Sequence, residues 1–286
     1  MAWVEGRVIE RIEWTPTLFS LRVAADLAPY KAGQFTKLAL EQGERRIQRA
    51  YSFVNPPSAP YHEFYLVEIP SGELTPSLGS LQAGDTLLVQ SLATGFLTLD
   101  EVPAGRDLWL LSTGTAIGPF LSMLAEGEAF NRFDNLVLVH GVRKGEELSY
   151  QALIASFAEQ HGERFRYVPF VSREEWHDAM VGRIPAAIAS GQLQQRVGLE
   201  FSPELSQVLI CGNPEMVKET QQTLLALGLA KNLRRAPGNI SAENYWERSI
   251  TAGPVRPLFM ITGYCPVEWA SGWCWAADCD SLRSRH

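Results

Sequence analysis

Arg49-Ala50-Tyr51-Ser52 closes an alternating segment that runs from Ile47 to Val54. In an extended strand successive side chains leave on opposite faces, so Arg49 and Tyr51 share one face while Ser52 turns to the other. A guanidinium beside a phenol ring can hold a phosphate and a flat ring side by side. The same four residues also suit the rim of an ordinary barrel, with Tyr51 as a core-edge tyrosine, so the neighbouring segments must decide.

Working outward, residues 2–100 divide into short strand-like stretches: Val4 to Trp14, Leu18 to Val23, Gln34 to Leu40, Ile47 to Val54, His62 to Ile69 and Asp85 to Ser91. Turns bearing Pro or Gly, such as Ala32-Gly33-Gln34, separate them. Regular strands with almost no helical periodicity predict a closed antiparallel barrel. One short helix is expected near Thr75, where Pro76 suits a first turn, and its free amides would face an anion.

From Asp107 the pattern changes. Leu108-Trp109-Leu110-Leu111 is a continuous apolar run followed by Gly114 and a helical stretch, Ile117 to Ala125. Leu136 to Val139 leads in the same way into Leu148 to Phe157, and Val208 to Ile210 into Glu215 to Leu227. Buried strands alternating with helices predict an α/β parallel sheet covered on both faces, with ligands at the carboxyl ends of its strands.

Bulk properties narrow the function classes. A chain of 286 residues is long enough for about two domains, and 46% hydrophobic and 20% charged residues are ordinary for a globular protein. No apolar run has membrane-spanning length. The formal charge of -7 argues against nucleic-acid binding, which relies on Lys and Arg neutralising phosphates. The N-terminus enters a strand pattern without secretory-signal features, which predicts a cytoplasmic location. Three of the four cysteines, Cys265, Cys274 and Cys279, lie near the C-terminus in a spacing that fits no common zinc pattern, so no metal is expected.

Three constellations carry chemistry. Thr113-Gly114-Thr115-Ala116-Ile117-Gly118-Pro119 joins a buried strand to a helix, a place where amides and the helix dipole favour a pyrophosphate, although such a turn can also bind nothing. Cys211-Gly212-Asn213-Pro214 occupies the equivalent place after another strand, so its thiol is expected to emerge beside the crevice; cysteine is also a common buried hydrophobe. Arg143, Arg173 and Arg183 fall near the ends of strand-like segments. Guanidinium groups converging on a dianionic phosphate would favour NADP(H) over NAD(H), whereas singly each reads as a solvated arginine.

Taken in order, Ala32 to Phe35, Arg49 to Ser52, Gly114 to Pro119, Cys211 to Pro214 and the pair Tyr245-Trp246 resemble the ferredoxin–NADP(+) reductase family, and its bacterial branch in particular. The resemblance implies an FAD-binding β-barrel domain over 1–100 and an NADP(H)-binding α/β domain over 101–246. It also implies a flavoenzyme that moves electrons between NADPH and ferredoxin or flavodoxin by hydride transfer between nicotinamide C4 and flavin N5. Carried over by position, Arg49 and Ala50 would lie along the FAD phosphates, Tyr51 along the isoalloxazine and Ser52 near N5. Phe64, Tyr65, Leu66 and Val67 with Gly72, Leu74, Thr75 and Thr115 would complete the FAD site. Tyr245 would stack on the flavin and Trp246 on the adenine part of FAD.

For NADP, the resemblance implies Thr113, Gly114, Ser172, Cys211, Gly212 and Asn213 among the binding residues, with Arg143, Arg173 and Arg183 at the 2′-phosphate. Ser52, Cys211, Glu243 and Tyr245 would form the catalytic set, Glu243 through proton handling. The chain departs from the pattern by continuing past Trp246. Residues 247–286 are expected to be a poorly ordered extension that perturbs activity without removing it. A monomer is expected. The alternatives are a reductase component of an oxygenase system, for which no cluster-binding cysteine set appears, and a non-catalytic nucleotide-binding redox module.

Overall fold

The computed structural model describes residues 2–244. Tyr245, Trp246 and the extension expected over 247–286 lie outside the described residues. Two six-stranded sheets organise the rest. The first is built from β1 (Trp3–Glu13), β2 (Leu18–Ala24), β3 (Phe35–Gln42), β4 (Arg45–Ser52), β5 (His62–Val67) and, after the short helix α1 (Thr75–Gly79), β6 (Thr86–Gln90). Its order is β4-β3-β6-β1-β2-β5, with antiparallel neighbours throughout.

The sheet curls until its two edge strands meet, but the meeting is confined to one end. Phe53 bridges Phe64 just beyond β4, and the Val54 N–H donates to the Glu63 carbonyl at 2.9 Å. The expected barrel is therefore a barrel whose closure lies at Phe53–Phe64, with β4 and β5 diverging on the other side. Alternate residues Leu21, Val23, Leu38, Phe64, Leu66 and Val89 fill its interior.

The second sheet contains β7 (Asp107–Thr113), β8 (Asn135–Val142), β9 (Phe165–Val171), β10 (Met180–Val181), β11 (Ser206–Gly212) and β12 (Ile240–Asn244), all parallel in the order β10-β9-β8-β7-β11-β12. The helices are α2 (Gly118–Glu126), α3 (Glu128–Arg132), α4 (Gln151–His161), α5 (Ile184–Ala189), α6 (Gln192–Val197) and α7 (Pro214–Ala226). From β7 the chain winds outward through β8, β9 and β10, then returns to the other side of β7 as β11. That reversal opens a crevice at the carboxyl ends of β7 and β11, where Thr113 and Gly212 lie.

Strand alternation divides the second core in two. Leu108, Leu110, Leu136, Leu138, Leu209 and Cys211 pack in one cluster with α2 and with Leu18, Val54 and Tyr65 of the barrel. Trp109, Leu111, Val137, Val139, Val208 and Ile210 pack on the opposite face with residues of α5 and α7. One face of the parallel sheet is thus turned toward the barrel. Cys211 belongs to it.

Candidate functional site

The barrel's contribution lies where β4 and β5 diverge. Ser52 and Tyr51 are buried at the end of β4, Tyr51 within the barrel cluster. Arg49 reaches across to the turn before α1: its guanidinium donates to its neighbour Gln48's carbonyl at 2.7 Å and to Glu73 Oε2 at 3.2 Å. The turn itself is fixed by Thr75, whose Oγ1 accepts the Ile69 N–H at 3.0 Å, and by the Gly72 N–H, which donates to the Ile69 carbonyl at 2.8 Å. A side chain at Gly72 would press on Thr75 Oγ1 at 2.9 Å, so this turn needs glycine. Pro76 in the first turn sets the start of α1, and the first-turn amides of any helix lack intrahelical acceptors. One cation and one amide-bearing turn are therefore neighbours, joined through Glu73, and together they make a donor set suited to a pyrophosphate.

Phe64 and Leu66 are completely covered inside the barrel, and Tyr65 is turned into the boundary cluster. Whatever these three residues offer a ligand is main chain. Leu74 is likewise buried in the barrel cluster, beneath the turn, while Ala50 and Val67 are half-buried.

At the crevice of the parallel sheet the two glycine turns are tied together. Thr113 Oγ1 accepts the Asn213 N–H at 3.0 Å, and a Cβ on Gly212, whose φ is 150°, would collide with that same oxygen. Gly114 has open space around it but a φ of 56°, so there the backbone conformation requires glycine. Asn213 also caps α7, accepting the Glu215 N–H at 2.9 Å. Thr115 is buried within the turn that leads into α2, and Gly118 at the start of α2 abuts the barrel: a Cβ there would lie 3.3 Å from Val54 Cγ2. The turn after β7 is thereby seated two residues beyond Ser52.

Cys211 lies at the end of β11 beside the Gly212 turn and is 1% exposed, and burial, reinforced by Glu243, pushes its thiol well above the ordinary range. It is a neutral thiol on the barrel-facing side. Glu243 stands opposite Cys211 in the β11–β12 register, and loss of solvation raises its carboxyl to about 8. A carboxylic acid that keeps its proton at neutral pH can hold or deliver one.

The three arginines have different neighbours. Arg143 and Arg173 are brought onto neighbouring strand ends, where the Arg173 N–H donates to the Arg143 carbonyl at 3.0 Å, and Ser172 lies beside them with Oγ on the Val142 carbonyl at 3.2 Å. Arg183, before α5, turns instead toward α7 and pairs with Glu219 Oε2 at 3.1 Å. Two residues escaped sequence reasoning. Trp176, on the exposed loop after Arg173, lays its ring against Gly145, where any Cβ would run into the indole. Its other side is open, leaving the residue 46% exposed. His140 is completely buried on β8; its Nε2 lies 3.0 Å from the Gly114 carbonyl, and burial lowers its pKa to about 4. The neutral ring donates an N–H that steadies the Gly114 turn. A tryptophan in a polar loop and a histidine in an apolar run were the available signals.

A curled antiparallel sheet with an anion-facing turn, joined to a parallel sheet with paired glycine turns at its switch point, defines the two-domain class of nucleotide-dependent reductases. The description "Oxidoreductase NAD-binding domain" matches residues 110–222. A flavodoxin/ferredoxin–NADP reductase of Escherichia coli strain K12 is 49% identical over 245 residues, 85% of this chain and 99% of its own length. A ferredoxin–NADP reductase of Pseudomonas aeruginosa is 36% identical over 247 residues, 83% of this chain and 95% of its own. Among solved structures, a ferredoxin NADP+ reductase from Neisseria gonorrhoeae with bound FAD and NADP superposes with a TM-score of 0.80 at 37% identity, covering 85% of this chain and 99% of that one. The chain belongs to the flavodoxin/ferredoxin–NADP reductase family.

Proposed function

We propose that this protein is a flavoenzyme that exchanges electrons between NADPH and ferredoxin or flavodoxin, with FAD held by residues 1–100 and NADP(H) by residues 101–246. The carrying observation is the contact of Gly118 with Val54, which sets the nucleotide turn of the parallel sheet against the strand end bearing Tyr51 and Ser52. Family membership over both halves supports the same reading.

The residues fit FAD. Arg49 and the Gly72–Thr75 turn would take the pyrophosphate, Tyr51 would line the ring, and Ser52 would donate a hydrogen bond at its edge. Bound there, FAD would supply the step between a two-electron hydride and single-electron delivery to a carrier. Thr113, Gly114, Gly212 and Asn213 would orient the nicotinamide end, with the small Cys211 side chain leaving room beside it. Arg143, Arg173 and Ser172 would hold the 2′-phosphate, with Arg183 joining them on leaving Glu219, and Trp176 would offer its open face to the purine. Glu243 would keep a proton near the reacting rings. Tyr245 and Trp246 would cover the flavin, as the resemblance implies for the residues at these positions.

By the same reading the enzyme works in the cytoplasm as a monomer. Among the described residues no helix is long and apolar enough to cross a membrane. The test is an absorption spectrum followed by anaerobic NADPH titration. A yellow protein that bleaches on NADPH and then reduces ferredoxin or flavodoxin is expected. A colourless protein that cannot be reconstituted with FAD would overturn the reading.

A further inference from the structure

The boundary between the two halves carries a buried hydrogen-bond network that binds no nucleotide in the reading above. Tyr150 precedes α4 with a φ of 63°, in the left-handed region that non-glycine residues seldom adopt. Its hydroxyl donates to Glu63 Oε1 on β5 at 2.8 Å and lies 2.5 Å from Ser20 Oγ on β2. The far side of Glu63 is held by Arg22 Nε at 2.7 Å. One residue before Tyr150, Ser149 Oγ accepts the hydroxyl of Tyr65 at 2.8 Å.

Proton counting fixes the direction of the chain. Held by Arg22, the Glu63 carboxylate can only accept, so Tyr150 donates to it. Ser20 must then donate to Tyr150, which leaves Ser20 Oγ free to accept the Trp14 indole N–H at 2.8 Å. Trp14, Ser20, Tyr150, Glu63 and Arg22 form one directed series in which every proton has a use, and bonds of this kind strengthen one another. Rings close around it, with Trp14 at 4.5 Å and Tyr65 at 5.2 Å from the Tyr150 ring.

Around the network Leu18 and Val54 pack among α2 residues, and one further directed bond crosses, Ser122 Oγ of α2 donating to the Asn55 carbonyl at 2.7 Å. Apolar contact is non-directional and tolerates sliding. Directed bonds do not. Those of the Tyr150 network tie β5, which carries the Phe64–Val67 segment, to the loop that follows β8 and Arg143, a different pair of elements from those that Ser122 and Asn55 join.

We propose that Tyr150 is a positioning residue for hydride transfer, locking the barrel to the parallel sheet in the register that brings nicotinamide onto flavin. The inference rests on the function proposed above. Placement errors of ~1 Å can slow a reaction ~100-fold, so a lost lock should show in the chemical step before it shows in binding.

The experiment compares FAD-loaded wild type with Tyr150→Phe, Ser20→Ala and Tyr167→Phe under anaerobic stopped flow with NADPH. Tyr167 is the control: its hydroxyl accepts from Gln151 Nε2 at 3.0 Å, a bond within the parallel-sheet half. Expected for Tyr150→Phe are flavin reduction slowed at least ~10-fold and a weakened long-wavelength charge-transfer absorbance of nicotinamide against flavin. KM for NADPH and FAD content stay near wild type. Ser20→Ala shifts the same readouts less, and Tyr167→Phe leaves them alone. In the apo chain, amide exchange over residues 62–67 and 149–154 quickens in Tyr150→Phe, less in Ser20→Ala, and not in Tyr167→Phe. Should Tyr150→Phe fail to fold, Ser20→Ala decides, and wild-type absorbance and rate in it would overturn the proposal. Unchanged absorbance and rate in Tyr150→Phe, or an equal loss in Tyr167→Phe, would overturn it as well. A wild type that NADPH cannot reduce would overturn the proposed function itself; a reducible wild type with an unaffected Tyr150→Phe would overturn this inference alone.

Discussion

Gly145 and Trp176 lie face to face, with the glycine backbone filling the space that any side chain would need and the indole presenting its opposite side to solvent. The Gly145 N–H donates to Glu174 Oε1 at 2.8 Å, and Arg173 is joined to Arg143 through the backbone, so the two loops are held as one platform. An aromatic face next to two arginines matches a purine carrying a phosphate on its ribose.

Trp176→Ala should therefore weaken binding of 2′-phospho-AMP by roughly 5- to 150-fold, the worth of one base–aromatic stack at ~1–3 kcal/mol. Gly145→Ala should do the same by displacing the ring. Calorimetric titration checks both, and in a parallel fluorescence titration the quenching by 2′-phospho-AMP should be lost in Trp176→Phe while the calorimetric affinity is largely kept. Unaltered affinity in Trp176→Ala would remove the residue from the site.

Neutralising Arg143 or Arg173 should penalise NADPH far more than NADH, since a lost hydrogen bond to a charged group costs ~1.5–3 kcal/mol. Steady-state kcat/KM for the two cofactors reads the difference directly. Equal losses would refute the 2′-phosphate assignment.

Arg183 gives the opposite sign. Its nearer partner is Glu219, in a pair whose side chains are 53% and 37% exposed, and Glu215 stands beyond it at 3.9 Å. Exposed pairs are worth only ~0.2–1 kcal/mol, so the arginine is readily recruited by a stronger anion. Glu219→Gln should tighten NADPH by up to ~5-fold and leave NADH unchanged, with the gain shrinking as salt is raised. Calorimetric titration at two ionic strengths checks it.

Much of this architecture was legible in the sequence because it depends on period. The six barrel strands and the runs at Leu108, Leu136 and Val208 announce themselves through alternation or continuous burial, and the structure places strands at each of them. The helices α5 and α6, six residues each, are too short to show a period. The β12 strand, Ile-Ser-Ala-Glu-Asn, carries too few apolar residues to look buried and is a strand because β11 offers it an edge. Within the site, Thr113 and Asn213 were visible as turn residues, but the bond joining them spans a sequence separation of 100 and depends on the sheet order. The same holds for the burial of Cys211 and the partner of Arg183. Local pattern specifies elements, and contacts between distant elements decide what each side chain faces.

Glu243 makes a prediction about pH. Its carboxyl, raised from 4.5 to about 8 by loss of solvation, binds its proton more tightly folded than unfolded. Below pH ~4.5 both states are protonated and the group costs nothing. As pH rises through the window between the two values, the unfolded chain ionises while the folded one does not, so stability falls at up to ~1.4 kcal/mol per pH unit and levels off above pH ~8. Partial exposure of the side chain reduces that slope. Glu243→Gln, which cannot ionise, should flatten this part of the profile and make the protein relatively more stable at pH ~9 than at pH ~5 compared with wild type. Urea denaturation across that range measures the difference, and parallel profiles for the two proteins would show that Glu243 is ionised in the folded chain at neutral pH.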